Sequence, residues 1–190
     1  MTDDFSGTDT LRHRLLVAGT NEIGQYGIAN FSLRRVAAAC GTSCAAPYRH
    51  FKNKEAFILE ILRYIEGQWE LLCSQILSLY EGDIRKQLIE VCIAYIRFWV
   101  ANPNYRIALA ESEHTLAAGK PREDASVQAE IHVLVCAYCR LCGKEDAQEQ
   151  KFCKIKAILY GMTAMLESGE LPNDPKSFSI IRDILEEEFQ

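Results

Sequence analysis

Between Phe31 and Glu55 the chain carries Arg34, Arg35, Arg49, Lys52 and Lys54 against the single carboxylate Glu55, a local basic excess in a protein whose net charge is −5. Cations so placed can neutralise phosphates and release the counterions condensed on nucleic acid. The same cluster would also serve as an ordinary solvated face. Two other groups are chemical by residue type. Cys136, Cys139 and Cys142 follow at every third position, with Cys153 beyond, and offer donors for a metal or a redox pair. Glu111, Glu113 and His114 could supply acid–base catalysis. Neither group is completed by its neighbours. Cys-x2-Cys metal sites are usually built in tight turns, whereas Val133–Leu141 reads as continuous helix. These thiols are therefore expected to pack as small hydrophobes, as the scattered Cys40, Cys73 and Cys92 are. No Gly-rich phosphate loop, nucleophile elbow or His-Glu-x-x-His accompanies the acids, so no enzyme, cofactor or metal is expected.

The elements that must position these residues are helical throughout. Apolar residues recur at three-four spacing from end to end, and no segment sustains the alternation of a half-buried strand. The all-α pattern gives about nine helices. Leu11, Leu15, Ala18 and Ile23 mark the first, which ends around Gly24–Gly27. Ser32 caps a short second helix that stops at Gly41, Ser43 caps a very short third reaching about His50, and Asn53 opens a long fourth running to Tyr80. A fifth halts before Pro103, because proline disfavours helix in the residue preceding it. A weaker sixth is expected over Tyr105–Ala118, followed by helices at Ser126–Cys142, Ala147–Glu167 and Lys176–Glu187.

Composition bounds the rest. With 190 residues, 48% of them hydrophobic, the chain can bury a real core as one domain, or as a small module joined to a larger one. No apolar run reaches the roughly 18 residues that a membrane span needs, and Met1–Phe5 has no signal-peptide character. A cytoplasmic protein with reduced thiols is expected, and no membrane partner.

The run from Phe31 to Phe51 has the parts of a helix-turn-helix. Gly41 tolerates a left-handed backbone at the turn, and Ala37 is small enough for two helix axes to approach. Val36, Cys40, Tyr48 and Phe51 are expected to fill the space between them. Phe31-Ser32, Arg35-Val-Ala37, Cys40-Gly41, Ser43, Tyr48-Arg-His-Phe51 and Lys54-Glu55 together resemble the TetR family of transcriptional regulators, in particular members carrying Ala-Pro-Tyr-Arg-His-Phe at this place. The resemblance covers about residues 8–60.

That resemblance implies a helix-turn-helix DNA-binding domain at 1–52 and an effector-binding and dimerisation domain at 53–190. It implies phosphate contacts from Ser32, Tyr48, His50 and Lys54, and base contacts from Arg34, Ser43, Cys44 and Ala45. Tyr48 and His50 would otherwise be core or boundary aromatics. Arg34 is the best placed for bidentate reading of guanine, since its fork matches the O6/N7 edge. By the same resemblance, Ile155, Ile158, Leu159, Met162, Met165 and Leu166, with Ile181 and Ile184, are dimer-interface residues. Aromatics suited to an effector pocket include Trp69, Tyr95, Trp99 and Tyr138, with Glu111 and His114 as polar anchors. The implied partners are a palindromic double-stranded operator, a second copy of the chain and a small-molecule effector that releases a repressor. The alternatives are a DNA-binding redox or metal sensor using the cysteines, or a helical small-molecule-binding protein or enzyme that does not bind DNA.

Overall fold

The computed structural model describes residues 10–105 and 128–190. Among them are seven α-helices, two 3-10 turns and no strand. The expected sixth helix over Tyr105–Ala118 lies almost wholly outside the described residues. The expected third helix is a 3-10 turn, Pro47–Arg49, rather than an α-helix.

The described residues fall into two compact units, one of residues 10–65 with 104–105, the other of residues 66–103 with 128–190. In the first unit, α1 (Leu11–Tyr26) is capped by Thr10, whose side chain accepts from the His13 amide. It ends at Gly27, which has φ +70°. Helix α2 (Leu33–Ala39) is capped by Ser32. Helix α3 (Lys54–Leu79) opens where the Asn53 side chain accepts from the Ala56 amide at 2.7 Å. Its residues are shared between the two units. Leu15, Leu16, Ile23, Val36, Ala37, Phe57 and Ile61 are buried as the core of the first unit. Gly19 marks the tightest approach: a Cβ there would stand 2.4 Å from Cδ1 and 2.9 Å from Cγ1 of Ile61. A larger residue at this position would force the Ile61 side chain to move.

The second unit is organised around α4 (Ile84–Ala101). Gln87, Leu88, Ile89, Val91, Cys92, Ile93, Tyr95, Ile96 and Trp99 are all buried, so the helix is enclosed rather than laid on a surface. Against it pack α5 (Ala129–Leu141), α6 (Gln148–Ser168) and α7 (Pro175–Glu188). Gln87 resolves its own burial by donating to the Leu77 carbonyl at 2.8 Å. Polar clamps tie α7 in place. Arg182 forms a forked pair with Glu90, at 2.6 and 3.0 Å, and Arg85 Nε donates to the Phe189 carbonyl at 2.6 Å. No helix among the described residues is long and apolar enough to cross a membrane.

Candidate nucleic-acid interface

The turn between α2 and the 3-10 element is set by backbone bonding. The Gly41 amide donates to the Ala38 carbonyl at 3.0 Å and the Thr42 amide to the Ala37 carbonyl at 3.0 Å, the paired bonds of a Schellman closure. Gly41 supplies the left-handed residue that this closure requires, with φ +65°. Downstream, the Ala46 amide bonds to the Ser43 carbonyl at 2.9 Å, Arg49 to Ala46 at 3.1 Å and His50 to Pro47 at 3.0 Å. These are three-residue closures, and the Phe51 amide then reaches back four residues to the Pro47 carbonyl at 2.9 Å. Pro47 has no N–H to give the Ser43 carbonyl, so the first α-helical bond of a helix capped by Ser43 cannot form, and only Pro47–Arg49 winds, as 3-10.

Burial divides this segment sharply. Ala46, Pro47 and Phe51 are buried, whereas Ser43, Cys44, Ala45, Tyr48, Arg49 and His50 are exposed. Phe51 stacks on Phe57 at 4.1 Å between centroids, and Phe57 meets Phe31 edge-on at 5.8 Å. The apolar side is thereby fixed to α3. Tyr48 is 56% exposed and takes no part in filling the space between the helices, contrary to the sequence expectation; Val36 and Phe51 do fill it. Cys40 sits half-buried at the rim, its thiol donating to the Arg14 carbonyl at 3.4 Å.

On α2 the two neighbouring arginines have separate surroundings. Arg34 is exposed, and among the described residues its guanidinium has no ionic or hydrogen-bond partner. Arg35 turns to α1, where the buried Glu22 carboxylate accepts from its Nε at 2.8 Å and also from its Nη2. Its hydrogen bonding to Glu22 raises the Arg35 pKa above its ordinary value. Ser32 accepts from the Arg35 amide at 3.4 Å as the N-cap, which leaves its hydroxyl proton available to donate outward. Lys54 is half-buried with its ammonium 5.9 Å from the Phe31 ring centre. Of the eight residues expected at a DNA surface, Arg34, Ser43, Cys44, Ala45, Tyr48 and His50 are exposed, and Ser32 and Lys54 are intermediate. Glu22 is the residue that sequence reasoning missed. Its only signal was a carboxylate beside Ile23 on an otherwise apolar helical face.

The expected effector residues divide differently. Trp69, Tyr95 and Trp99 form a buried edge-to-face chain with centroid separations of 6.1 and 5.9 Å. Gln128 donates to the Tyr95 hydroxyl at 3.2 Å and to that of Tyr160, which brings Tyr160 to the same group. Tyr138 is engaged elsewhere: it meets Phe189 edge-on at 5.3 Å and donates to the Gln190 carbonyl at 3.2 Å. Glu111 and His114 lie outside the described residues.

The residues expected at a dimer interface fall on two faces of their helices. Ile155, Leu159, Leu166 and Ile181 are buried inside the single chain, as are Thr163 and Leu185. Ile158, Met162, Met165 and Ile184 lie outside that buried stripe, together with Ile180, which is 43% exposed.

All eight cysteines are free thiols. Cys73, Cys92 and Cys139 are buried, but Cys142 and Cys153 are exposed, unlike the expected core packing. Cys142 is the C-cap of α5, where the chain leaves the core, and Cys153 stands off the buried stripe begun by Ile155. Cys136 lies 3.7 Å from the His132 ring. Among the described residues there is no group of three or more His, Cys, Asp or Glu side chains suited to a metal ion.

Residues 15–61 match the family model of bacterial regulatory proteins, tetR family. No curated protein matches the chain. Among solved structures, a protein of unknown function from Rhodococcus sp. RHA1 superposes with a TM-score of 0.69 at 17% identity, covering 98% of this chain and 97% of its own. A candidate TetR-family transcriptional regulator from Rhodococcus sp. gives 0.68 at 20% identity with 94% of this chain and 96% of its own covered. A TetR family transcription regulator from Marinobacter aquaeolei VT8 gives 0.68 at 18% identity with 95% of each chain covered. At these identities the likeness is one of fold.

Proposed function

We propose that this chain, whose residues 15–61 match the model of the tetR family of bacterial regulatory proteins, is a DNA-binding transcriptional regulator that acts as a dimeric, ligand-released repressor. The observation that carries the reading is the two-sided segment 43–51: Ala46, Pro47 and Phe51 anchor it to an aromatic core, while Ser43, Cys44, Ala45, Tyr48 and His50 face water. A short, rigidly backed projection with small side chains and nearby cations suits entry into the major groove. In this reading Tyr48, His50, Lys54 and the Ser32 end of α2 hold phosphates, and Arg34 with Ser43, Cys44 and Ala45 meets base edges.

The functional division is a DNA-binding module at 1–52 and an effector and dimerisation module at 53–190. Two copies would associate through the outward faces of α6 and α7, where Met165 and Ile180 are exposed and Ile158, Met162 and Ile184 half-buried. Residues such as Ile155 and Leu159 support that surface from within. A dimer places two projections on a palindrome. An effector bound near the Trp69, Tyr95 and Trp99 aromatics would lower operator affinity by its preference for the state that binds DNA less well.

Selection of bound sequences from random duplexes at low salt tests the proposal. Enrichment of a palindrome supports both DNA reading and two-fold symmetry. An unenriched pool with no binding to any duplex overturns the reading.

A further inference from the structure

Helix α2 begins in a way that its own sequence does not complete. In a capping box, the N-cap Ser accepts from the amide of the third helical residue, and a Glu or Gln side chain at that third position accepts from the N-cap amide. Here Ser32 is the N-cap and accepts from the Arg35 amide, but the third helical residue is Arg35 itself, a pure donor. The acceptor comes from the preceding helix. Glu22 Oε1 takes the Ser32 amide at 3.0 Å and the Arg35 Nε at 2.8 Å. Arg35 also donates to the Asn30 carbonyl at 2.6 Å and lies 4.2 Å over the Tyr26 ring. The Arg35 side chain is 46% exposed and Glu22 only 6%, so parting them would return the guanidinium to water but strand a buried carboxylate.

We infer that Glu22 is a positioning residue for DNA recognition: it completes the α2 cap from α1, fixes the Ser32–Arg34 end of α2, and withholds Arg35 from the DNA backbone. This rests on the DNA-binding reading above. Arg34 and Arg35 then act oppositely despite their adjacency. One is presented to the duplex, and the other, although partly in solvent, is neutralised by Glu22 and adds no counterion release.

The test is the salt dependence of binding to a duplex that the wild-type protein has selected, and to an unselected duplex of equal length. Glu22→Gln keeps an acceptor for the Ser32 amide but removes the charge that retains Arg35. Its slope of log K against log salt should steepen by about 0.9 per subunit as Arg35 reaches a phosphate. Its preference for the selected duplex should fall about tenfold, the scale of one mismatched base pair. Glu22→Gln with Arg35→Gln should return the slope to the wild-type value. Arg35→Gln alone gives an independent readout, with an unchanged slope expected. An unaltered slope and preference in a folded Glu22→Gln variant, or a shallower slope in Arg35→Gln, overturns the inference. Failure of the wild-type protein to bind any duplex instead overturns the DNA-binding reading beneath it.

Discussion

At residue scale, the exposed Arg34 and the engaged Arg35 show why a charge count misjudges a binding face. Arg34→Ala should relax preference at a single position in each half-site, by about 1–3 kcal/mol, because a guanidinium fork discriminates one base pair; measured across a panel of single-base operator variants, uniform weakening would refute base reading. Lys54→Ala should instead weaken every sequence and flatten the salt slope by about one unit per subunit. An unchanged slope in salt titrations would leave Lys54 with its place beside Phe31 alone. Cys44 offers a chemical footprint of the same face. It is exposed, as are Cys142 and Cys153, while burial above all, with Glu130 and Glu70 adding to it, pushes the Cys73 thiol up to about 12. A maleimide should therefore label Cys44, Cys142 and Cys153 rapidly in the free protein, and saturating operator DNA should slow Cys44 alone, as peptide mapping would reveal. Equal labelling of Cys44 with and without DNA would place that turn away from the duplex.

At the scale of elements, the turn at Gly41 and the cap at Ser32 were legible because each depends on a residue type with few substitutes: a left-handed backbone position favours glycine, and an N-cap favours a short hydroxyl or carboxamide side chain. The winding of residues 44–50 was less legible. A cap and a few suitable residues suggest helix, but with Pro47 and Phe51 packed inward and no proline N–H for the first α-helical bond, only Pro47–Arg49 winds, as 3-10. Glu22 was hidden for a related reason: its partners Ser32 and Arg35 come from beyond the intervening loop, and no local periodicity encodes such a pairing. The cysteines of α5 and α6 show the same limit, since spacing identified the helices but not which turn of each would face water. Two glycines make the element-scale argument testable. Gly41→Ala should destabilise the protein by about 1–2 kcal/mol, because its φ of +65° is strained for an L side chain. Gly24→Ala, inside α1 and with nothing among the described residues within 4 Å of its added Cβ, should stabilise by up to about 1 kcal/mol. Denaturant melts that moved both variants in the same direction would contradict this assignment of the two backbones.

At the scale of the molecule, each compact unit holds a carboxylate whose ionised form is favoured by the fold. In the first, burial pushes Glu60 up, but hydrogen bonds from Arg63 and Arg12 outweigh it and hold the carboxyl below its ordinary value. In the second, the Lys154 hydrogen bond leads in lowering Glu188, which closes the C-terminal end of α7 against α6. The Lys151 ammonium also donates to the Glu188 carbonyl, so this cation fixes the backbone as well as the charge. A folded-state pKa below the unfolded one, which is about 4.3 for Glu, means the unfolded chain binds the proton more readily. The stabilisation is therefore complete above the unfolded value and is lost as pH falls through the folded one. Glu188→Gln removes the titration but keeps a polar side chain of similar size. Its melting temperature should lie below that of the wild-type protein at pH 7, and the gap should close as the pH is lowered through the carboxylate range. A gap of constant size from pH 7 down to pH 3 would mean that packing of Phe189 and the carbonyl bonds of Arg85 and Lys151, rather than the charge on Glu188, hold the end of α7 in place.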